Sequence, residues 1–383
     1  MSIAYEIVKR LYNLIVKGIL DDLLSTLMPI IEILHGGYMA PLTKLDFASA
    51  TTAGRFDGGA YYPDRTVCNT SRQIKDSYIN VLNTFTEDDS FKELSGKHIF
   101  GGLLQNEHFG HFCAESLSRV WALSKLSPSF DSIIFYLRVP TQPIRNFVFD
   151  FFRALDPDLN ISFVSDFTRI EELAVPEQLG HAKNGFIYGH PSVREGFKKL
   201  RTFKRGGINK VYVSRTGLKN NEGGVLLERV IETNLEKEGY LIIHPEKLSI
   251  REQLEIYNSA DKLIFSDGSA VHLYAFVARP EQKAFAIWRR KRNETFVWQV
   301  RSFGGPELTG VASVRKLYVP QGDGITSSRA QALIDFIHLR DQLIELGYII
   351  GSSWDVPTDE EFEVHFQKLS QNMTIPYNIH NIS

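Results

Sequence analysis

Lys262-Leu263-Ile264-Phe265-Ser266-Asp267-Gly268-Ser269-Ala270-Val271-His272 is the stretch that decides the fold class. A short apolar run ends in Ser-Asp-Gly-Ser-Ala, and a helix-compatible segment, Val271 to Ala278, follows. The pattern predicts a buried strand, a tight turn and the first turn of a helix. Gly268 suits the turn because glycine reaches backbone angles that other residues avoid and lets a ligand approach the main chain closely. The unpaired N–H groups and dipole of the new helix make an anion site. Ser269 faces that site and His272 lies one turn in. An ordinary strand-to-helix turn with a solvated Asp267 carries the same pattern.

Outward from this point, the chain is too long for one ordinary domain, since 383 residues predict two or three. A content of 43% hydrophobic and 23% charged residues is that of a globular protein. The formal net charge of −2 argues against a general nucleic-acid binder. Cys68 and Cys113 can build neither a disulfide framework nor a four-thiolate zinc site. With no evident export signal, the expected location is the cytoplasm, with peripheral contact at the inner membrane face as an option.

Residues 1–40 carry apolar side chains at mixed helical spacing (Ile3, Ile7, Leu11 and on to Leu34), interrupted by Lys9, Arg10, Lys17, Asp21, Asp22 and Glu32. They predict amphipathic helices, divided near Pro29, that pack on the body, on a partner or in a membrane interface. Residues 41–205 read as a first α/β domain. It has strands at Lys97–Leu104, Ser132–Tyr136 and Ile161–Val164, and a helix at 143–155. Past a basic linker at 196–209 the pattern restarts. Strands at 210–215, 240–244, 263–266 and 284–288 alternate with helices at 223–237 and 250–260, giving a second α/β domain over 206–326. Residues 327–383 read as a helical extension, and Arg289-Arg290-Lys291-Arg292 as a solvated turn, with contact to an anionic acceptor or a membrane surface as the other reading.

Ligands of open α/β sheets sit outside the carboxyl ends of strands. Arg215, at the end of the 210–215 strand, can make paired hydrogen bonds to phosphate, and Lys219, Gly268, Ser269 and His272 can supply the rest. Glu246 follows a strand at a position where an acidic residue binds a ribose hydroxyl. In the first domain His111, Glu115 and Arg119 fall at i, i+4 and i+8, one polar stripe along a helix. His111, Glu115 and Asp267 are each candidates for a general base, while Asn106 and Arg119 serve an acceptor or the structure. A rival reading of His108, His111 and Glu115 is a two-histidine, one-carboxylate metal set.

Four blocks, in order over roughly residues 97–280, resemble family 61 glycosyltransferases. They are Asn106 to Arg119, Tyr212-Val213-Ser214-Arg215 with Asn220-Asn221-Glu222, Pro245-Glu246 with Leu248-Ser249 and Glu252-Gln253, and Asp267 to His272. The resemblance implies a GT-B-like fold of two Rossmann-like domains facing across a cleft. It also implies transfer of a sugar, with inversion, from a nucleotide sugar to a saccharide or lipid-linked acceptor, of the bacterial capsular or surface-polysaccharide type, with no obligatory cofactor or metal. Many members have His-Gly where this chain has Asp267-Gly268, and Asn near the place of His272. A non-catalytic α/β scaffold subunit of a polysaccharide-assembly complex is the alternative expectation.

Overall fold

The computed structural model describes residues 28–41, 58–75, 78–79, 90–137, 142–181, 185–204, 206–218, 222–290, 294–371 and 375–382. The chain forms two compact units that do not follow it in simple succession. Met1–Leu104, Glu115–Thr141 and Asn160–Gly196 make the first, and Gln105–Ala114, Gln142–Leu159 and Phe197–Ser383 the second. Two segments expected in the first domain thus belong to the second unit.

In the first unit, β1 (Ile31–His35), β2 (Tyr38–Ala40) and β3 (Gly59–Tyr61) precede a small hairpin of β4 (Ile74–Lys75) and β5 (Tyr78–Ile79). The main sheet continues with β6 (Lys92–Leu104), β7 (Ser132–Leu137), β8 (Asn160–Val164) and β9 (Thr168–Pro176), in the order β3-β2-β9-β6-β7-β8 with β1 on β9. Strands β9, β6, β7 and β8 are parallel, whereas β1, β2 and β3 are antiparallel additions. The helical expectation for residues 1–40 therefore fails over Ile31–His35 and Tyr38–Ala40, which are strands. Residues 1–27 lie outside the described residues. Glu32 shows why: it points inward from β1, accepting hydrogen bonds from the Tyr62 and Thr70 hydroxyls, and so belongs to a two-residue sheet period rather than a helix face.

The second unit carries a five-stranded, wholly parallel sheet of β10 (Lys210–Val213), β12 (Leu241–Ile243), β13 (Lys262–Ser266), β14 (Lys283–Ile287) and β15 (Leu308–Val311). Its order is β12-β10-β13-β14-β15. Helix α1 (Asn146–Leu155) comes from the inserted segment, while α2 (Glu228–Lys237), α3 (Ile250–Ser259), α4 (Ala270–Val277) and α5 (Glu294–Ser302) connect the strands. Sequence sets these ends. Ser249 and Glu252 form a reciprocal capping box that starts α3. The run Leu263-Ile264-Phe265 has no exposed face, as a strand covered on both sides requires.

The C-terminal part is a helical extension only in part. Here β11 (Gly224–Val225), β16 (Val314–Pro320), β17 (Gln331–Ile334) and β18 (Tyr377–Asn381) form a four-stranded sheet, order β11-β17-β16-β18, with α6 (Phe336–Glu345) and α7 (Asp359–Gln371). Ala332, Ile334, Phe336, Leu339 and Leu343 are buried in one cluster with Tyr212, Ile264 and Phe285 of the parallel sheet. The strands β17 and β18 depart from the helical expectation, while α6 and α7 keep it over Phe336–Glu345 and Asp359–Gln371. No helix among the described residues is long and apolar enough to cross a membrane.

Candidate active site

In a parallel sheet ordered 2-1-3-4-5, the connections leave in opposite directions from the first strand. A crevice opens outside the carboxyl ends of strands one and three. Here these are β10 and β13, ending at Val213 and Ser266. Arg215 and the Asp267-Gly268-Ser269 turn therefore meet at the crevice. A Cβ built on Gly268 would stand 2.5 Å from Arg215 Nη1. Close approach, rather than backbone angle, explains this glycine, because Gly268 is not among the positive-φ residues. Helix α4 begins directly after the turn, at Ala270.

Arg215 is held from behind. Its Nη2 donates to Glu222 O at 2.8 Å and Gly223 O at 3.2 Å, and its backbone N–H donates to Glu228 Oε1 at 2.9 Å. The same carboxylate oxygen accepts from Tyr212 OH at 2.9 Å. Arg215 Nε has no partner and is buried. Burial holds the guanidinium below its ordinary pKa, against the upward pull of Glu228 and Asp267.

Two further arginines close on Asp267. Arg289, expected in a solvated turn, is 1% exposed; it donates to Ala330 O at 3.0 Å and Asp267 O at 3.3 Å. Arg290 Nε lies 3.4 Å from Asp267 Oδ2, and its Nη1 donates to Thr326 O. Burial pushes Arg289 down to about 9, with Asp267 opposing. Asp267 Oδ1 has no partner. Three guanidinium groups thus gather around two buried carboxylates at one strand-end edge. Sequence reasoning missed Arg289, Arg290 and Glu228. The strand-end rule, applied to β14 as it was to β13, would have found the arginines.

The Asn106–His111 segment packs on the same turn. Phe109 and Phe112 each sit 5.4 Å from Phe147 of α1, and Phe112 lies 5.5 Å from Phe151. Phe151 meets Phe276 of α4 at 6.2 Å, and Phe276 meets Phe197 at 4.9 Å and Phe303 at 5.2 Å. Each such pair contributes about 0.5–1.5 kcal/mol beyond simple burial. This aromatic layer seats Gly110 against α4: a Cβ there would be 2.6 Å from Ser269 Oγ and 3.5 Å from His272 Cδ2. His111 follows at once, half-buried, so it stands with Ser269 and His272 in one unit. The His272 ring is itself fixed, since Nδ1 donates to Gln299 Oε1 at 2.6 Å and the ring lies 4.6 Å from Phe296.

The expected helical stripe does not form. After Phe109–His111 the backbone widens into a π turn, Phe112–Ser116, then a bend and a 3-10 turn, Val120–Ala122. Glu115 and Arg119 are both buried in the first unit. The Arg119 guanidinium donates to four backbone carbonyls, Thr70, Pro176, Ser71 and Arg72, and lies 5.2 Å from the Phe100 ring. Burial pushes it down to about 10. Asn106 is buried and donates to Pro143 O at 3.3 Å. Glu246 is exposed beyond the end of β12, beside the Arg215 loop: a Cβ on Gly217 would fall 1.8 Å from its Oε1. Lys219 lies outside the described residues. Among the described residues no group of three or more His, Cys, Asp or Glu is placed to hold a metal.

Residues 109–284 match the model of the family Glycosyltransferase 61. The matched span begins at the Phe109–His111 turn and runs through β10, β12, β13 and α4. It supports a place in that family and a glycosyltransferase activity. No curated protein matches the chain.

Proposed function

We propose that the chain is an inverting glycosyltransferase that moves a sugar from a nucleoside-diphosphate donor to a saccharide or lipid-linked acceptor, in glycan or surface-polysaccharide assembly. One observation carries the reading: Arg215 lies over Gly268 at the crevice between β10 and β13, inside the span matched by the family. In a single displacement the acceptor oxygen bonds to the anomeric carbon, its proton passes to a base, and the nucleoside diphosphate leaves with the electron pair. Charge that grows on the leaving phosphate is met by Arg215 and by the N–H groups that open α4.

Among the three candidate bases His111 suits the task best. Asp267 Oδ2 lies 4.0 Å from Arg289 Nε and 3.4 Å from Arg290 Nε, and is already engaged by these cations. Glu115 is 2% exposed in the first unit. His111 is half-buried on the turn whose Gly110 packs against Ser269, and histidine is the side chain that general-base catalysis uses most often. Asp267 then acts by fixing the arginines. The site belongs to a protein of the cytoplasm or its membrane face, where nucleotide sugars are made.

Thermal unfolding against a panel of nucleoside mono- and diphosphates tests the reading. Ligand at a hundred times its Kd stabilises the fold by about 2.7 kcal/mol, and the shift should vanish in Arg215→Ala. No shift with any nucleotide would overturn the proposal. Binding without turnover of any nucleotide sugar would instead make the chain a binding subunit.

A further inference from the structure

Residues 321–330 join β16 to β17, and this loop touches two of the three strand-end arginines directly and the third through Gly223. Thr326 O accepts from Arg290 Nη1 at 3.2 Å, and Ala330 O accepts from Arg289 Nη1 at 3.0 Å. Ser328 O packs on Gly223, where a Cβ would collide with it and stand 2.7 Å from Ala330 O. Gly223 O in turn accepts from Arg215 Nη2. A glycine is required at 223, because φ is +68° in the same crowded place.

The outer half of the loop leans on nothing. Among the described residues, a Cβ on Gly322 or Gly324 would meet no atom within 4 Å. Its shape is held from within. Arg329 clasps Asp323 with two bonds, Nε to Oδ2 at 2.9 Å and Nη2 to Oδ1 at 2.6 Å. Ser327 Oγ donates to the same carboxylate at 2.6 Å and accepts from Arg329 N at 3.1 Å. Such paired bonds fix direction as well as distance. Hydrogen bonds from Arg329 first, and Ser327 second, hold the Asp323 carboxyl below its ordinary pKa. Both side chains of the clasp are partly exposed, and ion pairs so open to solvent add little to global stability. The effect is local: the clasp closes a ring over residues 323–329, with Thr326 inside it. Ala330 lies outside the ring, where its carbonyl also accepts from Gly224 N at 3.3 Å.

We infer that the Asp323–Arg329 clasp is a positioning element of the donor site: by fixing Thr326 O it aims Arg290, and so sets the affinity for the diphosphate. This rests on the diphosphate reading of the crevice. Arg290 is the more open of the two arginines on Asp267, 15% exposed at its side chain against 1% for Arg289. Its charge opposes that of Arg215, and an anion beside both relieves that repulsion. An arginine pinned before the ligand arrives loses less freedom on binding.

Titration calorimetry of the full chain with UDP and GDP, followed for whichever binds more tightly, tests the inference. Asp323→Asn and Arg329→Gln should each weaken binding about tenfold, the lower end for a hydrogen bond to a charged group, with Tm nearly unchanged. Arg329→Lys keeps the charge without the two-point bond and should fall between. A double-mutant cycle separates positioning from simple bracing. Arg290→Ala should weaken binding by itself, and adding Asp323→Asn should cost nothing more, because the clasp acts through that arginine. Arg290→Lys, which keeps a charge on Asp267, gives the same cycle if the alanine variant unfolds. Additive losses, or a lowered Tm with affinity intact, would overturn the inference and leave the diphosphate site standing. Full affinity in both Asp323→Asn and Arg329→Gln would do the same. Failure of every nucleotide to bind the unaltered protein would overturn both.

Discussion

Arg215 occupies the space that a side chain at position 268 would need: its Nη1 stands 2.5 Å from the place of a Gly268 Cβ. The contact ties the end of β10 to the first turn of α4, and places a guanidinium beside the helix's open N–H groups. A methyl at 268 would meet the far end of a flexible side chain, in a backbone that tolerates it. Gly268→Ala should therefore fold normally but swing the guanidinium aside. A hydrogen bond to a charged group is worth about 1.5–3 kcal/mol, so nucleoside diphosphate affinity should fall about ten- to hundredfold with little change in Tm. Titration calorimetry beside a melting curve checks both. Unchanged affinity would remove Arg215 from the phosphate site.

Gly110 tests the other side of the crevice. A Cβ there would lie 2.6 Å from Ser269 Oγ and 3.1 Å from Ser269 Cβ, so Gly110→Ala should lift the His108–His111 turn off α4. His111→Gln removes the base without moving the turn. General-base loss costs about 10²–10⁴ in rate, so His111→Gln should lower kcat by that much with KM nearly constant. Gly110→Ala should lower kcat and also disturb KM. A His111→Gln enzyme at full rate would return the role to Glu115 or Asp267.

Asp267 is the carboxylate between Arg289 and Arg290, 3% exposed at its side chain. Asp267→Asn leaves the buried Arg289 and the partly buried Arg290 without their counter-charge, and removing one partner of a buried pair costs about 3–5 kcal/mol. The same change makes the cluster more eager for an anion. A chemical-denaturation series should show the loss. It should also show more of it recovered with inorganic pyrophosphate in the variant than in the unaltered protein. Equal recovery in both would mean that the cluster does not face the ligand.

How far the sequence carries can be read from these residues. The β13 turn is legible because an uninterrupted apolar run, a glycine and a helix pattern all agree. Arg215 follows by the same rule, as the first charged residue after its strand. Arg289 was hidden by its company: in Arg-Arg-Lys-Arg, local charge points to solvent, and only the packed fold shows that Ala330 O and Asp267 draw it inside. The grouping of residues 105–114 with the second unit rests on contacts such as Phe109 with Phe147 and Phe151 with Phe276, which no periodicity records. The stripe of His111, Glu115 and Arg119 presumed a helix of even pitch, and the π turn at Phe112–Ser116 removed it.

Glu32 in β1 gives a pH prediction for the first unit. Burial alone would raise its pKa, but hydrogen bonds from the Thr70 and Tyr62 hydroxyls prevail and hold it below the ordinary glutamate value. The folded state therefore binds this proton less readily than the unfolded chain. Its contribution to stability is present above the unfolded glutamate pKa, and is lost as pH falls through the lower folded value. Urea midpoints measured from pH 7 down to pH 3 should fall more steeply in the unaltered protein than in Glu32→Gln, which starts lower at pH 7 and converges on it in acid. Parallel curves would mean that Glu32 titrates alike in both states, and that the two hydroxyls hold β1 without favouring its charge.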